Sequence, residues 1–267
     1  MIDASKRAKY LRTAVSCCRN GHEILHAYLE GRPLPAIILR SGLTIRHQPS
    51  DPMKYVFYEI FGAEVYTRSG FYVPSSHDTV IDCGANIGLF AFYLANNAPG
   101  IQVHCFEPAS DTRRRLEMNL KSNRLNKSIH VYPFAIFGEA GRKLLRHADS
   151  TGDHSFFDRS TIDGKGEELV ECVTLQQALN LSGALQIDLL KIDAEGSEIE
   201  IIEGANSNTW ERVKRVVVEF HDDFRPGSRD RIFQAFQGHG FRRLYLDEAF
   251  PCSASLGLVK ASRQVAQ

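Results

Sequence analysis

Val80-Ile81-Asp82-Cys83-Gly84-Ala85-Asn86-Ile87-Gly88 is an apolar strand that runs into a glycine turn and then directly into a helix. In open α/β sheets, ligands bind at the carboxyl ends of strands, and the first strand–helix turn is the usual place. Gly84 lets the backbone turn tightly and approach a ligand, while Gly88 lets helix and strand pack closely. Asp82 suits a cationic group or a network around the ligand. The spacing is Asp-x-Gly-x-x-x-Gly, so the Gly-x-Gly-x-x-Gly turn that cradles a pyrophosphate is absent.

Short apolar runs and amphipathic stretches alternate outward from this turn. Strands are expected at Thr79–Cys83, Val103–Phe106, 129–135, 187–192, 213–220, 241–246 and 255–260. Helices are expected at 87–96, 110–123, 197–203 and 228–237. Near-continuous apolar strands alternating with helices mean a parallel sheet covered on both faces, an α/β, doubly wound, Rossmann-like fold. The second strand ends Phe106-Glu107-Pro108, which puts Glu107 25 positions after Asp82. A carboxylate there can bind both hydroxyls of a ribose. Without a pyrophosphate turn, the Asp82–Glu107 pair points to S-adenosylmethionine. Taken singly, Asp82 could be a strand-end cap and Glu107 a helix N-terminal charge.

The strand at 187–192 delivers Asp193 to the same end of the sheet, with Glu195 and Glu198 following. A carboxylate there can orient or deprotonate a hydroxyl that attacks a methyl group in line. Asp193 could instead cap the next helix, and Glu198 is expected to cap that helix or face a basic neighbour. The next strand ends Glu219-Phe220-His221, and alternation puts Glu219 and His221 on one face. His221 is a candidate general base. Asp193, Glu219 and His221 could alternatively hold a divalent cation such as Mg²⁺, although no metal is expected.

The first 54 residues read as two short helices broken near Asn20–Gly21, then a hairpin through Ile37–Arg46 turning at Ser41-Gly42. They form a helical and hairpin extension to a catalytic domain over 55–267. Val56–Tyr66 reads as a short helix running into a strand, and Tyr55, Tyr58 and Tyr66 could close over the site. Between 137 and 175 the alternation lapses among glycines and charges, a functional insertion. There, His147-Ala148-Asp149 through His154 reads as a solvated loop, and Phe156 and Phe157 could line an acceptor pocket. Arg113-Arg114-Arg115 reads as a solvated helix face.

Lys plus Arg equals Asp plus Glu at 32 each, so no overall field favours nucleic acid. Six cysteines without a paired motif read as reduced thiols, and no apolar run suits a signal peptide or a membrane span. A cytoplasmic protein without membrane or nucleic-acid partners is expected, and a homodimer stays open.

The ordered segments VIDCGANIGLFAFYLA, FEP, NLKSNRLN, TLQQAL, IDLLKIDAEGSEIEIIEGA and VVVEFHD together resemble the FkbM family of methyltransferases. The similarity covers about residues 55–260, and LLKIDAEGSE is its most specific piece. Cys83 and Asn86 stand at variable places of the first motif. The resemblance implies a seven-stranded sheet whose last strand is antiparallel. It also implies O-methylation of a hydroxyl on a sugar, glycan or polyketide-type natural product. Expected cofactor contacts are Asp82, Gly84, Ala85, Asn86, Gly88, Glu107, Pro108, Ala135 and Asp193, and expected catalytic residues are Asp193, His221 and Glu219. A nicotinamide-dependent oxidoreductase and a non-catalytic S-adenosylmethionine-binding partner protein are the competing readings.

Overall fold

The computed structural model describes residues 4–157, 166–222, 225–247 and 256–263. Helices α1 (Ala4–Cys17) and α2 (Gly21–Leu29) pack on each other. They break where a Cβ at Gly21 would meet the Ala14 carbonyl oxygen at 2.5 Å. Strands β1 (Ile37–Ile38) and β2 (Thr44–Ile45) form the expected antiparallel hairpin. Helix α3 (Met53–Phe57) continues as a π-helical turn over Tyr58–Gly62. The strand expected to follow is not formed, because Glu64 sits at φ +50°, which breaks an extended backbone. Val65 and Tyr66 are buried by side-chain packing instead, Tyr66 edge-on to Phe90.

The main sheet is built from β3 (Thr79–Cys83), β4 (Gln102–Phe106) and β5 (Ile129–Tyr132), whose links are α4 (Leu89–Asn97) and α5 (Ser110–Ser122). Pro133 then interrupts the single strand expected over 129–135, since it brings no N–H to a ladder. The chain resumes as β6 (Phe134–Ile136), which leaves the main sheet and joins β7 (Gly141–Arg146) and β8 (Glu167–Val173) in a three-stranded sheet. The described part of the 137–175 stretch is therefore ordered strand and turn. Helix α6 (Leu175–Leu181) opens with a capping box of Thr174 and Gln177. The main sheet completes with β9 (Leu189–Ile192), β10 (Arg215–His221), β11 (Arg243–Asp247) and β12 (Leu256–Ser262). Helices α7 (Glu198–Glu203), α8 (Ser207–Glu211) and α9 (Ser228–Gly238) lie between them in sequence.

Strand order is β11-β12-β10-β9-β3-β4-β5, with β12 antiparallel to both neighbours and the other pairs parallel. This is the seven-stranded arrangement that the resemblance implies. Val80, Val103, Leu189, Val217 and Leu258 pack on one face with α1, α4 and α5. Ile81, Leu190, Val216, Val218 and Val259 pack on the other with α6, α7, α8 and α9. Burial on both faces is why these strands read as continuous apolar runs. The N-terminal helices share the first of these clusters through Tyr10, Ala14 and Ile24. Side chains of α5 and of its C-cap residue clip the hairpin to the sheet domain: Thr44 N–H donates to Asn123 Oδ1 (2.7 Å) and Arg46 N–H to Asn119 Oδ1 (2.9 Å). The chain leaves β3 outward to β5 and returns beside β3 as β9, so the topological switch lies between β3 and β9.

Candidate active site

A cavity of about 750 Å³ opens at this switch, walled by the carboxyl ends of β3, β4, β9 and β10. Gly84, Ala85, Asn86, Glu107, Pro108, Ala135, Asp193, Glu219 and His221 all line it. Asp82 and Gly88 are not among the lining residues. The volume is within the range that holds a cofactor-sized ligand.

The glycine turn also packs tightly against the rest of the chain. Gly84 has φ +77°, and a Cβ there would lie 1.8 Å from the Asp193 carbonyl oxygen. The turn therefore lies close against the loop after β9 as well as lining the cavity. Gly88, at φ +89°, lets Leu116 of α5 pack against the turn, so its partner is a helix rather than a strand. Between them, Asn86 N–H donates to Glu107 Oε2 (2.8 Å), and Ala109 N–H donates to Glu107 Oε1 (3.0 Å). Burial pushes the Glu107 carboxyl up to about 7 despite these two donors. Arg113 steadies the same turn by donating to the Glu107 (3.2 Å) and Pro108 (2.8 Å) carbonyls.

Asp82 is fully buried behind this wall, where Lys191 Nζ donates to its Oδ1 at 2.9 Å. The cation that Asp82 meets thus comes from the chain itself. Lys191 also donates to the Gly84 carbonyl (3.0 Å) and lies 3.4 Å from Asp193 Oδ2. Burial opposes its charge, but Asp82 and Asp193 outweigh burial and keep its pKa above that of an ordinary lysine.

Asp193 and Glu219 converge on one hydroxyl. Tyr66 Oη lies 3.3 Å from Asp193 Oδ2 and 3.1 Å from Glu219 Oε2. Burial and the neighbouring Asp193 push the Glu219 carboxyl well above the usual carboxylate range. Burial and these two acids likewise keep Tyr66 protonated. His221 sits between two further carboxylates, with Nδ1 3.2 Å from Glu198 Oε1 and Nε2 3.4 Å from Glu195 Oε2. Burial disfavours its charged form, yet Glu195 and Glu198 more than compensate and raise its pKa well above the ordinary value. A histidine that keeps its proton at neutral pH is a poor general base. Glu198 Oε1 accepts from the Ala194 and Gly196 N–H groups (both 3.0 Å), so it ties down the loop before α7 and faces a basic neighbour, but it does not cap that helix. Asp193 does not cap α7; Ser197 holds that position.

Segments outside the sheet close the cavity. Tyr55 and Tyr66 line it and Tyr58 does not. The loop from Asp149 to Phe156 lines it too, and its Thr151 hydroxyl reaches Asp51 (3.1 Å) and Asn86 (3.2 Å). His154, which burial holds down near about 4, and Phe156 are part of this wall, so the loop is not simply solvated. Phe157 instead packs under the Arg225 guanidinium. The arginine triplet departs from the solvated face expected of it. Only Arg114 is exposed, while Arg115 pairs with the buried Asp51 at 3.0 Å.

Sequence reasoning missed Lys191, Asp51 and Glu59 as parts of the site. Lys191 carried a usable signal, since it lies two positions before Asp193 and a cation inside an apolar strand needs a buried partner. Asp51 and Glu59 carried none.

The family model described as "Methyltransferase FkbM domain" matches residues 82–243. The AMB antimetabolite synthetase AmbE of Pseudomonas aeruginosa is 30% identical over 243 residues, covering 76% of this chain but only 11% of that protein. The 31-O-demethyl-FK506 methyltransferase FkbM of Streptomyces tacrolimicus is 29% identical over 229 residues, 76% of this chain and 87% of that one. The crystal structure of Methyltransferase FkbM from Methylobacillus flagellatus superposes with a TM-score of 0.55 at 15% identity. It covers 96% of this chain and 59% of that one, and the shared fold is that of class I methyltransferases.

Proposed function

The chain belongs to the FkbM methyltransferase family, and on that footing we propose that it moves a methyl group from S-adenosylmethionine to a hydroxyl oxygen. The acceptor we assign is a sugar, glycan or polyketide-type natural product. One observation carries the reading: a buried carboxylate at the end of β4 and a cluster of carboxylates at the ends of β9 and β10 face a single cavity. The name of the relative from Streptomyces tacrolimicus, with its O-demethyl substrate, supports an oxygen acceptor.

The donor set fits the cofactor. Glu107 is already held by two backbone N–H groups and can accept from two ribose hydroxyls. The Gly84–Asn86 turn runs beside it with backbone groups for an amino acid portion. When bound, S-adenosylmethionine supplies an electrophilic methyl carbon on a sulfonium, which leaves as the neutral thioether. Asp193, the cavity-facing carboxylate at 22% side-chain exposure, orients the acceptor hydroxyl and takes its proton as the oxygen–carbon bond forms. Glu219 and Tyr66 hold Asp193 in place. His221, charged between Glu195 and Glu198, positions the neighbouring carboxylates rather than acting as base.

Calorimetry with S-adenosylmethionine, followed by methyl transfer against a panel of glycosides and macrolides, tests this. Tight NADH binding with no S-adenosylmethionine binding would overturn it in favour of an oxidoreductase. Cofactor binding without transfer to any hydroxyl would favour a non-catalytic partner protein.

A further inference from the structure

Asp193 follows β9, and Glu219 and His221 lie two apart on β10, which pairs with β9 in parallel register. One ligand atom from each of the three side chains lies within 4.8 Å of the other two. Glu219 and His221 are buried at 8% and 4% exposure, and all three side chains line the cavity.

The outer shell adds a second, independent feature. Glu198 is wholly buried, anchored by two backbone N–H groups, and lies 3.2 Å from His221 Nδ1. A carboxylate on one ring nitrogen fixes the tautomer and turns the other nitrogen outward, which is how metal-binding histidines are held. His221 Nε2 accordingly faces the cavity side, beside Glu195 at 3.4 Å. One hydroxyl carries one proton, so Tyr66 can donate to Asp193 or to Glu219 but not to both. Lys191 is shared between Asp82 at 2.9 Å and Asp193 at 3.4 Å, and Glu195 and Glu198 flank the one histidine.

We infer that Asp193, Glu219 and His221 form a binding site for one divalent cation, with Glu198 as the outer carboxylate that orients His221. Two carboxylate oxygens and one imidazole nitrogen suit Mg²⁺ or Mn²⁺ better than a thiophilic ion, and the cation takes the place of the protons that Glu219 and His221 Nε2 carry in its absence. A cation at this point lowers the pKa of a hydroxyl brought beside it. That use rests on the methyl-transfer reading, while the site itself does not.

The test is titration of chelator-treated, full-length protein with Mn²⁺, following free Mn²⁺ by electron paramagnetic resonance, with S-adenosylmethionine calorimetry on the same samples. The wild type is expected to bind a single equivalent. Glu219→Gln and Asp193→Asn should abolish that binding, and Glu198→Gln should weaken it about 10- to 100-fold. Two carboxylate variants are used so that one remains if the other does not fold. Absence of stoichiometric Mn²⁺ binding in protein that binds S-adenosylmethionine would overturn the cation site and leave the methyl-transfer reading intact. Binding undiminished in both carboxylate variants would overturn it equally. Mn²⁺ bound in protein with no affinity for S-adenosylmethionine would support the site and remove the methyl-transfer reading instead.

Discussion

Glu107→Gln separates two consequences of one buried carboxyl. In the wild type, burial raises the Glu107 pKa from 4.5 to about 7, so a large share of the protein carries a neutral carboxyl near neutral pH. Only the carboxylate can accept from both ribose hydroxyls, so S-adenosylmethionine affinity should rise with pH through 7. Below that value it should fall by about tenfold per pH unit. Exchange to Gln removes a charge-assisted contact of about 1.5–3 kcal/mol, roughly a 10- to 150-fold loss in affinity, and flattens the pH dependence. The sign for folding is opposite. An acid whose pKa is higher in the folded state binds more protons there, so between pH 4.5 and about 7 it makes stability fall as pH rises. The shift corresponds to about 3 kcal/mol over that window, and the Gln variant lacks it. Calorimetry at pH 6, 7 and 8 reads the first effect, and urea unfolding across pH 4.5–8 reads the second. Wild-type affinity independent of pH, together with a stability gap to the variant that does not widen with pH, would refute the argument.

Lys191→Met strands the fully buried Asp82 without its cation and should cost about 3–5 kcal/mol in urea unfolding; an unchanged midpoint would show that the pair contributes nothing. Gly84→Ala drives a Cβ into the Asp193 carbonyl and strains a backbone at φ +77°. It should lower the melting temperature and abolish S-adenosylmethionine binding together, and normal binding would show that the turn can open. Asp193→Asn should retain cofactor affinity in calorimetry while methyl transfer to a hydroxyl acceptor is lost, and transfer at the wild-type rate would remove Asp193 from the chemistry.

The parts of the site that could be read in advance are those encoded by short spacing. Glu107 follows from counting to the end of the second strand, and Glu219 and His221 share a face through simple alternation. The misreadings share a different cause. Val65 and Tyr66 have strand composition but are buried by docking against α4, and the run into Ala135 splits because Pro133 hands its second half to another sheet. Alternation along β10 places His221 but not its surroundings, since Glu195 and Glu198 reach its two ring nitrogens from the segment after β9.

The amino-acid sequence by itself determined the doubly wound sheet, the turn at Val80–Gly88 and the acidic strand ends, because each depends on periodicity within a few residues. Only the tertiary structure decided which groups meet across that framework. Tyr66 reaches Asp193 from 127 residues away, and Lys191 reaches Asp82 from 109. Those encounters come from folding strands and the N-terminal segment around one cavity, and they set the protonation of Glu107, Glu219 and His221. Local pattern carries no information about either, since the charge state of a buried group depends on what long-range packing places beside it.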